Sequence, residues 1–145
     1  KRTMFAYDVL KIINKITEDN PDNMYFITLA RTLDAINQKE IPIVSISLWL
    51  YLQLLSHNGH QPNVSTTLDG TVLAIDDHFT FSLEDMAFVP HSSGVFDARA
   101  VKLLRLGIAS QHPKQLALVS DSQDLQTQLT ELVRAMHAEH GQLLQ

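Results

Sequence analysis

Hydrophobic residues recur at helical spacing over most of this chain and predict two amphipathic helices before residue 40. The first helix is predicted over residues 3–17, with Lys11 and Lys15 on its polar side. The second is predicted from Pro21 or Asp22 to Asn37. Short turns join these helices to each other and to the next, which predicts antiparallel packing of neighbours. The predicted apolar positions are Phe5, Val9, Ile12, Ile13 and Ile16 in the first helix, and Phe26, Leu29, Ala30, Leu33 and Ile36 in the second.

The most hydrophobic stretch follows, over residues 43–58, and we expect the fold to be organised around it. Apolar side chains fall on nearly every side of this predicted helix, so it should be buried on most faces. Pro42 suits a first helical position, and Gly59 suits the left-handed residue just past the end. Trp49 lies in the middle of the run, which favours a core position over a role in stacking on nucleic-acid bases.

Between residues 64 and 94 the pattern changes to β-forming residues. We predict a hairpin in which residues 71–75 pair with residues 79–81 across a turn at Asp76 and Asp77. A further extended piece is predicted at residues 87–89, and residues 90–94 have the composition of a loop.

Helical spacing returns after Asp97, which is a good N-cap for a helix over residues 98–110. Pro113 permits a short helix to about residue 119. A last helix begins after possible caps at residues 120–122 and ends near Gly141. The inward positions of these helices are Val101, Leu104, Ile108, Leu125, Leu129, Leu132, Val133 and Met136.

The pattern as a whole predicts a mainly α fold, a helical bundle with a small antiparallel β-hairpin insertion. We assign one helical domain to residues 1–145, with helices in 1–58, the hairpin insertion in 64–94 and C-terminal helices in 97–140. A chain of 145 residues is also the size of one domain.

Composition excludes several classes of protein. The chain has no cysteine, which rules out disulfides, thiolate zinc sites and a cysteine nucleophile. No run of about 18 apolar residues occurs, so we expect no membrane-spanning helix. No signal-peptide core follows the first residues, which favours the cytoplasm. The net charge of −5 disfavours broad, nonspecific binding of nucleic acid.

No arrangement of residues predicts a chemical step. The chain lacks a Gly-x-Ser-x-Gly motif, a His-Glu-x-x-His motif and a phosphate-binding glycine loop. We therefore expect neither an enzyme nor a cofactor, and solvated loop histidines in place of a metal site. The alternative is a metal-dependent hydrolase, whose candidate metal ligands are His57, His60, His78, His91, Asp76 and Asp77.

Basic residues are sparse, but Arg99, Lys102 and Arg105 recur at every third position of the predicted fourth helix. At about 100° per residue they spread over a face about 120° wide. Lys11 and Lys15 form a pair four residues apart on the first helix. These five residues are the candidate contacts to a partner or to DNA, because such side chains pair with carboxylates and phosphates. The alternative is an ordinary solvated helix face.

The segment that leaves the buried helix, residues 54–64, reads Leu-Leu-Ser-His-Asn-Gly-His-Gln-Pro-Asn-Val. It resembles the segment Leu-Leu-x-x-x-Gly-Tyr-x-Pro-x-Leu of a family of bacterial DNA-repair proteins, the recombination mediator RecO. His60 stands where the family often has tyrosine. Residues 81–89 resemble the strand that leads into the second half of the family's zinc knuckle, and residues 97–106 resemble its next helix. The similarity extends from about Phe5 to His140.

In many members of the family the knuckle holds zinc with two Cys-x-x-Cys pairs. The corresponding positions here are Thr67, Gly70, Pro90 and Ser93, so the resemblance implies a degenerate knuckle without metal. The insertion would then be held by the packing of Val72, Ile75, Phe79, Phe81 and Phe88.

The resemblance also implies a function in DNA repair and recombination. In this family the helical domain supports single-stranded DNA binding and offers a pocket to the acidic, hydrophobic-ended tail of single-strand-binding protein (SSB). The whole protein works with RecR to load recombinase and to anneal strands. The predicted fourth helix carries basic residues beside apolar ones, as such a pocket requires.

The family's N-terminal OB-fold domain is expected to be absent from this chain, which predicts only weak binding of single-stranded DNA. The second hypothesis is a helical protein-interaction or regulatory module unrelated to DNA repair.

Overall fold

A buried central helix, α3, organises the fold, and most of the other helices pack on it. The computed structural model describes residues 1–19, 22–74 and 77–141. The mainly helical fold with a small β insertion is confirmed. Its elements are α1 (Arg2–Asp19), α2 (Asn23–Ile36), α3 (Ile43–His57), β1 (Asn63–Thr67), β2 (Phe79–Ser82), β3 (Ala87–Pro90), α4 (Ala98–Ala109), α5 (Lys114–Ala117), α6 (Gln123–Met136) and a π-helical turn (His137–Gly141).

Helix α3 is buried on nearly all sides, as its apolar sequence predicts. Helices α2, α4, α5 and α6 all contact it. Trp49 is only 1% exposed, and its indole Nε1 donates a hydrogen bond of 2.9 Å to the carbonyl oxygen of Ser110. The bond satisfies the one polar atom of a large buried ring, and it attaches the end of α4 to the centre of α3.

Helix α2 buries a different face from the one its apolar residues predict. The predicted face included Phe26 and Ala30, but Phe26 is 51% exposed and Ala30 is exposed as well. Leu29, Leu33 and Ile36 are half-buried. The residues that α2 buries are Tyr25, Thr28, Thr32 and Ala35.

Hydrogen bonds to the end of α3 explain this difference. The hydroxyl of Tyr25 donates to Oδ1 of Asn58 at 2.8 Å, and Oγ1 of Thr28 lies 2.9 Å from Nε2 of His57. Buried polar groups with partners cost little, so a face that contains a tyrosine and two threonines can pack inward. The prediction was wrong because it ranked side chains by hydrophobicity alone.

The insertion is a three-stranded mixed sheet with strand order β1-β3-β2. Strands β2 and β3 pair antiparallel, with Phe79 opposite Pro90 and Ser82 opposite Ala87, whereas β1 pairs parallel to β3. The predicted arm at residues 71–75 is not a strand in its described part. Val72 makes one isolated bridge and is 73% exposed. The other end of that arm, Ile75, and the predicted turn residue Asp76 lie outside the described residues.

An aromatic cluster determines which segments pair. The ring of Phe88 meets the rings of Phe79, Phe81 and Phe96 edge-on, with centroids 5.8, 5.0 and 6.0 Å apart. Such edge-to-face contacts stabilise a small sheet beyond the apolar area that they bury. Phe79 and Phe88 are fully buried, as predicted, and the same cluster recruits Phe96 from beyond the predicted insertion.

Gly107 lies where α4 crosses α3 closely. A Cβ at this position would lie 2.6 Å from Cδ1 of Leu52, which is itself fully buried. Gly107→Ala gains about 1 kcal/mol of helix propensity and loses about 1–3 kcal/mol by overpacking. We expect a net loss of about 1 kcal/mol in the free energy of unfolding, measured by urea denaturation. Ala30→Gly, at an exposed position in the interior of α2, measures the propensity effect alone, and a Gly107→Ala variant more stable than the native chain would contradict the close approach.

Candidate peptide-docking groove

Helix α4 is held so that its basic side chains face outward. Oδ1 of Asp97 accepts a hydrogen bond of 3.0 Å from the backbone N–H of Arg99, which caps the helix. The helix buries Ala100, Val101, Leu103, Leu104 and Gly107 against the core. Arg99, Lys102 and Arg105 are all exposed on the opposite side.

A groove of about 280 Å³ runs between α4 and the start of α6, and we call it the α4–α6 groove. Its floor is formed by the apolar side chains of Leu103, Leu106 and Leu125. Val119, which is 36% exposed, extends the apolar surface at the loop before α6. The size and lining suit a bulky apolar side chain of a partner better than a small polar ligand.

The two rims of the α4–α6 groove carry opposite charges. Arg99 and Lys102 lie on the α4 side, and Asp121 lies on the far side between two serines. The side chain of Arg99 is 78% exposed, and its Nε lies 3.4 Å from Oδ2 of Asp97. An ion pair of this exposure is weak, so the guanidinium remains available to a partner's carboxylate.

Arg105 points away from this groove. Its Nε donates a hydrogen bond of 2.6 Å to the carbonyl oxygen of Val64, which ties α4 to β1. It lines a smaller cavity of about 60 Å³ next to Phe79 and Leu73. The structure therefore brings Arg99 and Lys102 together at one apolar surface and gives Arg105 a contact within the fold.

Lys11 and Lys15 are exposed on α1, and neither lines the α4–α6 groove. Helix α1 packs on α2 through a buried side that includes Val9, Ile13 and Ile16. A role for these two lysines in binding DNA or a partner remains a prediction, separate from the groove.

A buried polar network fixes the far rim, and the sequence reasoning missed it. Gln126 is 2% exposed, its Oε1 accepts from Oγ of Ser45 at 2.6 Å, and its Nε2 donates to the carbonyl of Leu116 at 2.9 Å and to Oγ of Ser122 at 2.8 Å. That serine in turn donates to the carbonyl of Val119 at 2.8 Å. The spacing of Gln126 was the available signal, since it lies three residues before the core residue Leu129.

The histidines considered as metal ligands do not form a metal site in the part of the chain that the structure describes. His57 is half-buried, and burial lowers its pKa because the charged ring would lose its hydration. His60, His78 and His91 are exposed. No group of three or more histidine, aspartate or glutamate side chains among the described residues is placed to hold a metal ion, and Asp76 lies outside them.

No described helix has both the length and the apolar character needed to cross a bilayer. Comparison with known proteins gives no relative: no protein-family model, curated protein or solved structure matches this chain.

Proposed function

We propose that this chain is a docking domain for an acidic peptide that ends in a bulky apolar residue, and that it performs no chemical step. The observation that carries the proposal is the position of Arg99 and Lys102 on the rim of an apolar groove. Acidic side chains of the peptide need cations within reach, and its apolar end needs a surface on which to be buried. The groove supplies both within the span of two helices.

The charge distribution also suggests how the peptide lies. Carboxylates pair with Arg99 and Lys102 along α4, while Asp121 on the opposite rim repels them. The apolar end then enters the floor at Leu103, Leu106 and Leu125. The bonds from Gln126 and Ser122 hold the far rim in place before binding, which reduces the entropy lost on docking.

For the cellular process, we propose DNA repair through a RecO-like recombination mediator in the cytoplasm. Two observations support this: the sequence resemblance at residues 54–64, and a groove whose chemistry fits the tail of SSB. RecR would be a further partner in recombinase loading and strand annealing. The net charge of −5 is consistent with only weak binding of single-stranded DNA by this chain. A helical interaction module outside DNA repair would use the same groove for another acidic partner.

Charge reversal at the groove tests the proposal. Fluorescence anisotropy with a labelled peptide ending in Asp-Asp-Asp-Ile-Pro-Phe would measure Kd for the native chain and for Arg99→Glu and Lys102→Glu. We expect each variant to weaken binding by about tenfold or more, because an attractive pair becomes a repulsive one. Lys39→Glu makes the same charge change at an exposed residue that does not line the groove, and it should leave Kd unchanged.

Further arms of this experiment separate the hypotheses. A peptide with serine in place of its final phenylalanine should bind at least about tenfold more weakly if the apolar floor is used. Equal binding of an unrelated acidic peptide with an apolar end would favour the module outside DNA repair. Equal losses in Lys39→Glu and Arg99→Glu would contradict docking in the groove. Binding of single-stranded DNA is measured for the native chain and for Lys11→Glu and Lys15→Glu, which tests the role of the α1 lysines. Strong, salt-sensitive binding of DNA by the native chain would contradict the weak-binding prediction.

A further inference from the structure

The end of the described chain is attached to the fold by two histidines of the π turn, His137–Gly141. His137 is fully buried, and its Nε2 donates a hydrogen bond of 2.8 Å to the backbone carbonyl of Tyr51 in α3. His140 is half-buried, and its Nε2 donates to the carbonyl of Leu83 in the turn between β2 and β3. The ring of His140 also stacks on the ring of His60, with centroids 5.6 Å apart.

These contacts determine where the ring protons are. Because each Nε2 donates to a carbonyl oxygen, Nδ1 of His137 and Nδ1 of His140 both carry a lone pair in the neutral ring. Nδ1 of His137 is buried and has no hydrogen-bond partner among the described atoms. A proton added there would be a buried, charged donor without an acceptor, and such a group strongly destabilises the packed arrangement.

The ring of His60 links the two contacts of the turn, because it stacks on the ring of His140. His60 also acts on His137 electrostatically. Other charged or titratable groups on the elements around the turn include Asp8 on α1, Tyr51 and His57 on α3, Glu84 and Asp85 in the β2–β3 turn, Glu131 and Arg134 on α6 and Glu139 in the turn itself.

We propose that His137 is the pH-sensitive part of a latch, completed by His60 and His140, which holds the π turn against α3 and the β2–β3 turn when the His137 ring is neutral and releases it when that ring is protonated. We expect release to leave the rest of α6 in place, because Leu129, Val133 and Met136 are fully buried in the main core cluster. Protonation therefore changes the local order of the π turn without unfolding the helical bundle.

The direction of the pH effect follows from burial. Burial lowers the pKa of His137 below its ordinary value of 6.5, and the nearby His60 lowers it further, against the bond to the Tyr51 carbonyl. The released turn binds a proton more readily than the latched one, so the latched state loses stability as the pH falls below 6.5. The stability of the latched state reaches its lowest value once the pH is below the lowered pKa of His137 in that state.

Nuclear magnetic resonance of the full chain tests the latch, in buffer that contains a chelator to exclude metal binding. Backbone ¹⁵N heteronuclear NOE values for residues 138–141 should be those of ordered backbone at about pH 7.5 and of mobile backbone at about pH 5, with residues of α3 unchanged. Ring proton shifts of His137 should change over the same pH range. Mobility of the turn at both pH values, or order at both, would overturn the proposal.

Variants separate the latch from general acid unfolding. His137→Gln keeps a donor for the Tyr51 carbonyl but cannot be protonated, so the midpoint of release should fall by about one pH unit or more, a tenfold higher proton concentration. His60→Gln removes the stacked charge and should shift the midpoint in the same direction if His137→Gln does not fold. His78→Gln, at an exposed histidine outside the latch, is the matched control and should leave the midpoint unchanged. If both latch variants release the turn at the same midpoint pH as the native chain, the assignment of the latch to these histidines is overturned.

Discussion

Replacing Arg2 with alanine is expected to lower the free energy of unfolding by about 3 kcal/mol. The guanidinium of Arg2 donates to four backbone carbonyls near the end of α2, those of Ala35, Ile36, Gln38 and Ile41, at distances of 2.8–2.9 Å. The last carbonyls of a helix lack partners within the helix, and a cation at that end also complements the helix dipole. One side chain thus caps α2 and attaches the start of α1 to it.

The expected magnitude is smaller than the sum of four separate bonds. A hydrogen bond to a charged group contributes about 1.5–3 kcal/mol on its own, but bonds that share one side chain are not additive. Arg2 is also partly exposed, so water replaces some of the lost bonds in the alanine variant. Urea denaturation followed by circular dichroism measures the difference.

Two further variants test the cause of the Arg2 effect. Arg2→Lys keeps the charge but loses the planar fork of donors, so it should restore only about one third of the lost stability. Arg31→Ala removes the same kind of side chain from the half-exposed surface of α2, with an expected change within about 0.5 kcal/mol. An Arg2→Ala variant as stable as Arg31→Ala would contradict the capping role.

Arg2 illustrates which contacts sequence reasoning misses. In the sequence it is one charged residue at the start of an amphipathic helix, and its four acceptors lie 33–39 positions away. Helix α3 is the opposite case: its bounds were predicted to within one residue, because Pro42, Gly59 and a continuous apolar run are local signals. Neighbouring residues in the sequence determine where a helix begins and ends. Hydrogen bonds between residues far apart in the sequence determine how the helices are attached to each other.

The candidate groove was also predicted only in part from the sequence. Periodicity along α4 predicted that Arg99 and Lys102 share a face beside apolar residues. It gave no sign that Val119 and Leu125 complete the groove, because that requires α6 to pack against α4. Nor did it distinguish Arg105, whose bond to Val64 depends on where β1 lies.

The predicted pieces at residues 79–81 and 87–89 are β2 and β3, but the partner predicted for β2 was wrong. Sequence favoured residues 71–75 as the partner of β2, since they are adjacent and rich in β-forming residues. In the structure Phe79 instead pairs with Pro90 and, on its other side, exchanges backbone hydrogen bonds of 2.8 and 3.1 Å with Phe96. Residues 91–96 can fold back over Phe79 only if a residue without a side chain lies at the contact, and that residue is Gly94.

Gly94→Ala is therefore expected to lower the free energy of unfolding by about 3 kcal/mol, at the upper end for overpacked sites. A Cβ on Gly94 would lie 2.3 Å from the carbonyl oxygen of Phe79 and 2.6 Å from its backbone nitrogen. Backbone atoms of a buried strand residue cannot rotate away as a side chain can, so either the Phe96 bonds or the β2–β3 pairing must break. Urea denaturation gives the stability change, and amide chemical shifts of Phe79 and Phe96 show where it arises.

The cause of the Gly94 effect is steric, which distinguishes it from the conformational role of another glycine. Gly70 has φ of +89° and no atom within 4 Å of an added Cβ, so Gly70→Ala costs only backbone strain, about 1 kcal/mol. If Gly94→Ala costs no more than Gly70→Ala, residues 91–96 do not lie on Phe79. Phe96 would then fall outside the aromatic cluster, and α4, which begins at Ala98, would lose the anchor that holds its basic N-terminal end beside the groove.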